Sequence, residues 1–193
     1  MSDLLPLDVP AAPPPPILLR APHLSPTRWA VVPSPIGELL LAGDGDALTG
    51  LWMLPDPRWA PDTSGWLHDT TAFDEVSRQL DAYFAGELHR FDLALAPAGT
   101  PFQLRVWQAL LEIPYGATCT YGALASRLGR PDRARAVGAA NGRNPISIVI
   151  PCHRVIGTGG DLVGYGGGLP RKAALLALER SGRLPALASP LPA

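Results

Sequence analysis

Cys152, His153 and Arg154 stand side by side in the run Ile148-Val149-Ile150-Pro151-Cys152-His153-Arg154-Val155. A cysteine attacks as its thiolate, and a thiolate needs a neighbouring base or positive surroundings. His153 offers the first and Arg154 the second. A free cysteine taken alone is more commonly an inert core residue, so the dipeptide needs further support. In an extended strand adjacent side chains point to opposite faces, and Cys152 and His153 would not meet. We therefore expect Pro151 to start a helical turn and the proton to pass to His153 through a water. Such a base needs a group that orients its second ring nitrogen, usually a carboxylate. After position 99 the acidic residues are Glu112, Asp132, Asp161 and Glu179. Glu179, on the last expected helix, is the favoured partner.

The elements around this run follow from pattern. Trp29 to Val32, Glu38 to Ala42 and Leu48 to Met53 read as strands of an antiparallel meander, turned at Ser34-Pro35-Ile36-Gly37 and Gly43-Asp44-Gly45-Asp46. Phe73 to Ala85 reads as a helix, with Phe73, Val76, Leu80 and Phe84 at helical spacing, and Gly86 ends it. Leu88 to Leu95 is expected to add a strand. Thr100 and Pro101 open a helix whose face is Phe102, Val106, Leu110 and Ile113. Thr120 caps a helix through Leu128, and Asp132 is expected to cap a second over Arg133 to Ala140. Two short helices around a Gly-containing turn are a helix-turn-helix pattern. The second carries arginines and little other bulk, which favours close approach to DNA over simple helix packing. Ile146 to Ile150 reads as a buried extended segment, and Pro170 opens a final helix through Arg180.

The organisation expected is a Pro-rich disordered tail (1–27), an α/β unit (28–98), a helical unit (99–183) and a second tail (184–193). Net charge is −1, but it is split. Residues 1–99 hold five Arg against thirteen Asp or Glu, and residues 100–193 hold eleven Lys or Arg against four acidic residues, a formal −8 and +7. Such asymmetry suggests that one half meets a polyanion. Lys172 is the single lysine. Cys119 and Cys152 are the only cysteines, too few for a disulfide framework. No Cys/His cluster suggests a zinc site, and no apolar run approaches the ~20 residues that span a bilayer. The start of the chain lacks a secretory pattern, so cytoplasmic residence is the expectation.

Residues 157–168 form a glycine-rich loop that lacks the Gly-Lys-Ser/Thr ending of a phosphate-binding loop. Asn144-Pro145, Ile150-Pro151-Cys152-His153-Arg154-Val155, Tyr165-Gly-Gly-Gly-Leu169 and Glu179 together resemble the O6-alkylguanine-DNA alkyltransferases over residues 28–182. The resemblance implies an α+β fold. A small ribonuclease H-like sheet with a helix would be followed by a helical domain with a winged-helix-like helix-turn-helix.

It implies that Cys152 accepts the alkyl group in a stoichiometric, irreversible transfer from a flipped-out O6-alkylguanine, with O4-alkylthymine left open. His153 would deprotonate Cys152 through a water, Glu179 would polarise His153, and Asn144 would brace the turn. Tyr121 would crowd the extruded nucleotide's phosphate and protonate the guanine. Carbonyls of Cys152 and Val155 would read the guanine edge, Tyr165 would form a pocket wall, and the Gly166 N–H would approach O6. Gly166 departs from members with serine there. Arg135 would fill the base stack, with Ala136, Gly138, Ala139, Arg143 and Arg154 on the DNA face. Double-stranded DNA would be bound in the minor groove with little sequence preference, by a monomer, with no cofactor and no metal. The rival reading, a non-catalytic lesion binder of the alkyltransferase-like type, carries a residue other than cysteine at the acceptor position. A cysteine hydrolase would need an oxyanion hole and turnover, which nothing else in the sequence supports.

Overall fold

A computed structural model describes residues 19–21, 27–55 and 61–186. β1 (Arg28–Val32), β2 (Leu39–Gly43) and β3 (Leu48–Met53) form the expected meander. β2 lies between the other two, with Leu41 opposite both Ala30 and Leu51. All five of its residues are buried, which explains why Leu-Leu-Leu-Ala-Gly is a continuous apolar run and not an alternating one. The Asp44 carboxylate accepts the N–H groups of Asp46 and Ala47 at 3.0 and 2.8 Å and so turns the chain from β2 into β3. A two-residue strand absent from the sequence reading, β4 (Leu67–His68), adds parallel to β1 and makes the sheet mixed. It is too short to leave a periodic signal.

α1 (Asp74–Phe84) follows a 3-10 turn and packs Val76, Leu80, Tyr83 and Phe84 inward. The strand expected over Leu88 to Leu95 does not form. Gln79 of α1 takes its place as bonding partner: its amide donates to Asp92 O at 2.9 Å and accepts from Asp92 N at 2.8 Å. Leu95 alone is left to bridge Leu48, and it also bridges Leu19, within the segment expected to be a tail. The rest of that tail, apart from residues 19–21 and 27, and the end from 187 onward lie outside the described residues.

α2 (Pro101–Leu111) begins at a complete capping box, with Thr100 and Gln103 bonding each other's backbone N–H. β5 (Cys119–Thr120) leads into α3 (Tyr121–Arg127), capped by the Thr120 hydroxyl, which accepts from Ala123 N at 3.1 Å. Asp132 does not cap the next helix. Pro131–Arg133 winds as a 3-10 turn, and Asp132 pairs instead with Arg130 and Arg133 at 3.8 and 3.4 Å. α4 (Ala134–Gly142) follows, held to α2 by Trp107 Nε1 donating to Ala140 O at 2.9 Å. β6 (Val155–Ile156) pairs parallel with β5, and α5 (Leu169–Ser181) closes the described chain. Its left-handed Gly182 end returns an N–H to Leu178 O. No described helix is long and apolar enough to cross a membrane.

Ile146 to Ile150 is buried as expected but is turned, not extended, with Ile148 at φ 70°. Its first residue bridges Leu51: Leu51 N donates to Pro145 O at 2.8 Å, and Ser147 N to Leu51 O at 3.0 Å. The loop is thus an added edge of the sheet. Arg171 of α5 reaches the same side, donating to Ile36 O at 2.8 Å and Leu54 O at 2.6 Å.

Thr100→Ala removes one half of the capping box. It should lower stability by about 1 kcal/mol. Urea unfolding would show this as a lower midpoint at unchanged slope, and an unmoved midpoint would mean the cap contributes nothing.

Candidate active site

Asn144 shapes the turn that carries Cys152. Its amide donates to Ile150 O at 2.8 Å, and its carbonyl accepts Ile146 N at 3.0 Å. Both bonds are buried, where an unmade one would be costly. The chain is thereby folded over before Pro151, and Cys152–Arg154 winds as a 3-10 turn. The expected turn at Pro151 is therefore present. All three side chains of the turn point inward and are buried. Asn141 of α4 bonds the same turn, donating to Cys152 O at 3.4 Å.

Glu179 is the centre of the site. Its side chain has no exposed surface. Oε1 lies 2.7 Å from His153 Nε2 and accepts Tyr83 Oη at 2.8 Å and an Arg154 guanidinium nitrogen at 2.9 Å. Oε2 accepts Arg154 Nε at 2.8 Å and Gly116 N at 3.2 Å. Burial alone would raise this carboxyl, but the hydrogen bonds from His153 and Arg154 and the charge of Arg154 outweigh it and hold the group at about 2. An ionised carboxylate only accepts, so Nε2 of His153 carries a proton. Burial pushes His153 below its ordinary value despite Glu179, and the imidazole is neutral. Its Nδ1 then holds a lone pair, and that buried atom has no hydrogen-bond partner in the structure. A base of this kind can receive one proton and pass the resulting charge to Glu179. Burial also pushes the Cys152 thiol up, opposed by Asn144 and by the charge of Lys172. At rest the pair is a thiol and a neutral imidazole.

A cavity of about 90 Å³ adjoins Cys152. Tyr165, Gly166 and Gly167 line it with Asn141 to Asn144, and so do Trp52 and Met53 of β3. Tyr165 Oη is buried without a partner in the structure. Tyr121 is half-buried at the start of α3, with its hydroxyl 3.5 Å from Val163 O. Burial and the nearby Cys152 raise its phenol. Gly138 of α4 faces the Tyr121 ring, where a Cβ would stand 3.5 Å from it. Arg135, Ala139 and Arg143 are exposed on α4 and its end, with Ala136 partly so.

One residue is displaced from its expected place. Arg154 was expected on the DNA face. It is buried, with its guanidinium engaged by Glu179 and by Ile113 O at 2.6 Å. A cation enclosed in this way does not reach a phosphate. Three further residues escape the sequence reading. Tyr83 comes from α1, Asn141 from α4, and Lys172 from α5. Lys172 is fully buried and donates to Val155 O at 2.7 Å and Val163 O at 2.8 Å. It ties the strand after Cys152 to the glycine-rich loop. Burial lowers its amine, and the interaction with Cys152 raises it. Its standing as the only lysine among fifteen arginines was the one available signal.

Residues 27–97 match the 6-O-methylguanine DNA methyltransferase ribonuclease-like domain, and residues 101–181 match the DNA binding domain of the same name. A methylated-DNA--protein-cysteine methyltransferase of Mycobacterium leprae (strain TN) is 59% identical over 147 residues, covering 76% of this chain and 88% of that protein. One of Methanosarcina acetivorans is 52% identical over 153 residues, covering 79% and 98%. The crystal structure of Mycobacterium tuberculosis OGT in complex with DNA superposes with a TM-score of 0.78 at 54% identity, covering 81% of this chain and 95% of that one.

The network makes stability pH-dependent. Glu179 is depressed on folding, so its contribution is present above its ordinary value of 4.5 and is lost as pH falls toward about 2. His153 is also depressed, so the unfolded chain takes up its proton first, below about 6.5. Both act in one direction: stability should decline from pH ~6.5 downward and more steeply below ~4.5. Urea unfolding across pH 7 to 3.5 tests this. Glu179→Gln should be less stable at pH 7 by about 3 kcal/mol or more, since it leaves Arg154 without its counter-charge. It should also lack the steeper lower part. Parallel curves for the two proteins would exclude Glu179 as the source.

Proposed function

The chain belongs to the 6-O-methylguanine DNA methyltransferase family, and from that premise we propose that it reverses DNA alkylation by moving the alkyl group from O6 of guanine onto Cys152, once per molecule. It binds DNA and transfers a methyl group from methylated DNA to a cysteine of its own chain. The observation that carries the assignment to Cys152 is the neutral His153. Its Nε2–H is spent on Glu179, and its Nδ1 is buried and unpartnered one residue from the thiol.

In the reaction, the Cys152 proton passes through a water to Nδ1, and Glu179 stabilises the imidazolium. The thiolate attacks the alkyl carbon. The S–C bond forms as the C–O6 bond breaks, and the electron pair of that bond stays on O6. Tyr121 delivers a proton to the departing guanine. Asn144 braces the turn throughout. The product is a thioether, and no group in the site is suited to cleave it, so one molecule corrects one lesion.

The O6 atom is partly hidden in a duplex, and its nucleotide must be extruded at a cost of a few kcal/mol. Exposed Arg135 fills the gap in the stack, while Ala136, Gly138 and Ala139 let α4 approach the minor groove closely. Arg143 contacts phosphate, a term without sequence preference that suits damage arising anywhere. The flipped base enters the cavity beside Tyr165 and Gly166, and the carbonyls of Cys152 and Val155 read its edge. Residues 28–98 form a structural unit, and residues 99–183 carry DNA and the acceptor. The protein acts as a monomer in a reducing compartment, the cytoplasm, which keeps the thiol free. The lesion-binder alternative is disfavoured by the cysteine at position 152.

The test is a duplex with one O6-methylguanine, mixed with the protein and followed by intact mass and peptide mapping. One methyl group on Cys152, formed once per molecule and absent from Cys152→Ala, is expected. Tight binding of the lesion without any mass change would instead favour the damage-sensor reading.

A further inference from the structure

Four of the five bonds to Glu179 come from its own half of the chain. His153 and Arg154 belong to the turn that carries Cys152, and Gly116 to the loop after α2. The fifth comes from α1, 96 residues away in sequence, where Tyr83 Oη meets Oε1 at 2.8 Å. Tyr83 is 1% exposed, and its ring packs against Phe91, Phe84 and Tyr115 at centroid distances of 5.3, 5.4 and 6.1 Å. Packing would account for the ring. It does not account for a hydroxyl aimed at the same oxygen that accepts the His153 N–H bond.

We propose that Tyr83 is a positioning residue for alkyl transfer: its hydroxyl shares Glu179 Oε1 with His153 Nε2 and sets how much of the carboxylate's charge reaches the base. This rests on the reading that His153 deprotonates Cys152. Donors on one oxygen compete for its electron density. When Nδ1 receives the Cys152 proton, the imidazolium leans on Oε1, and the Tyr83 bond weakens that support. The same bond fixes the carboxylate's orientation from the side opposite the turn. The other charged or titratable groups around Glu179 are Arg154 on the turn, Tyr115 on the loop after α2 and Tyr165 on the glycine-rich loop, and Lys172 on α5 faces His153. None of these but Arg154 bonds Oε1. Burial and the charge of Glu179 push the Tyr83 phenol well above its usual range, so it stays a donor throughout the reaction. The first unit thereby enters the chemistry without touching substrate.

The experiment measures single-turnover methyl transfer from an O6-methylguanine duplex between pH 5.5 and 9, for the full-length wild type, Tyr83→Phe and Phe91→Leu. Tyr83→Phe keeps the ring and removes only the donor. Without it the imidazolium is better supported, so His153 keeps its proton to higher pH and the acid limb of the rate profile should move up by about 0.5 to 1 pH unit. The plateau should rise about 2- to 3-fold, because a more basic imidazole takes the Cys152 proton more readily. Phe91→Leu loosens the same aromatic cluster and should lower the unfolding temperature while leaving the profile in place. A Tyr83→Phe profile that superposes on the wild type would overturn the proposal, as would equal shifts in both variants, which would mean that packing alone is at work. Failure of the wild type to transfer at all would instead refute the underlying reading of Cys152 and His153.

Discussion

A carboxylate without access to water must find its solvation inside the protein, and at Glu179 five protein donors supply it. Most of the molecule's arrangement follows from that requirement. α5 has to dock where Glu179 meets the Cys152 turn. The turn has to deliver both His153 and Arg154, which fixes its 3-10 winding. The loop at Gly116 has to come close enough to give an N–H, and there a Cβ would stand 2.9 Å from Glu179 O. Removing any one partner leaves a buried polar or charged group unmatched, which costs far more than the bond itself contributes. The site is therefore strongly interdependent. α5 adds two more anchors about two turns earlier, Arg171 to the first unit's carbonyls and Lys172 to those of Val155 and Val163.

The first unit contributes to the site by contact as well as by Tyr83. The backbone of Leu51 pairs with the segment that precedes Cys152, so β3 supports the turn from behind. Met53 presses on the glycine-rich loop at Gly167, where a Cβ would come within 2.3 Å of its sulfur. A side chain at 167 would have to displace Met53, so glycine there fits close approach. Trp52 and Met53 reach the cavity itself. An acidic half that carries no acceptor residue still shapes two sides of the place where the acceptor works.

Local patterns were legible in the sequence, and reach across the chain was not. Val76 and Leu80 mark α1, Thr100 and Pro101 mark the start of α2, and Thr120 marks α3, because caps and periodicity are properties of a few neighbouring residues. The strand read over Leu88 to Leu95 failed because Gln79, on another element, claims the backbone that a strand ladder would use. Arg154 was read as a surface cation for a similar reason. A basic residue beside a nucleophile looks like a phosphate contact, and the carboxylate that buries it lies 25 residues further on. Cys152, His153, Glu179 and Asn144, which the structure brings together, were read from the sequence, the first two from their adjacency and the others through the resemblance or by elimination among few acids. Tyr83 and Asn141 leave no sequence signal of this kind. Each matters through one long-range hydrogen bond from an otherwise ordinary helix.

The resting state of Cys152 fits a protein that reacts once. Burial holds the thiol protonated and the imidazole beside it neutral. A catalyst with turnover gains from a permanently ionised cysteine, since each cycle restores it. A stoichiometric acceptor gains nothing from ionisation before the lesion arrives, because a standing thiolate is open to oxidation and stray alkylation. The arrangement around Glu179 resolves this. The carboxylate is ionised and fully bonded in advance, so the proton that leaves Cys152 finds its destination already organised, with little rearrangement left for the moment of reaction. Inertness at rest and readiness on binding thus arise from one feature: a buried, neutral Cys-His pair set against a buried charge that His153 itself helps to satisfy.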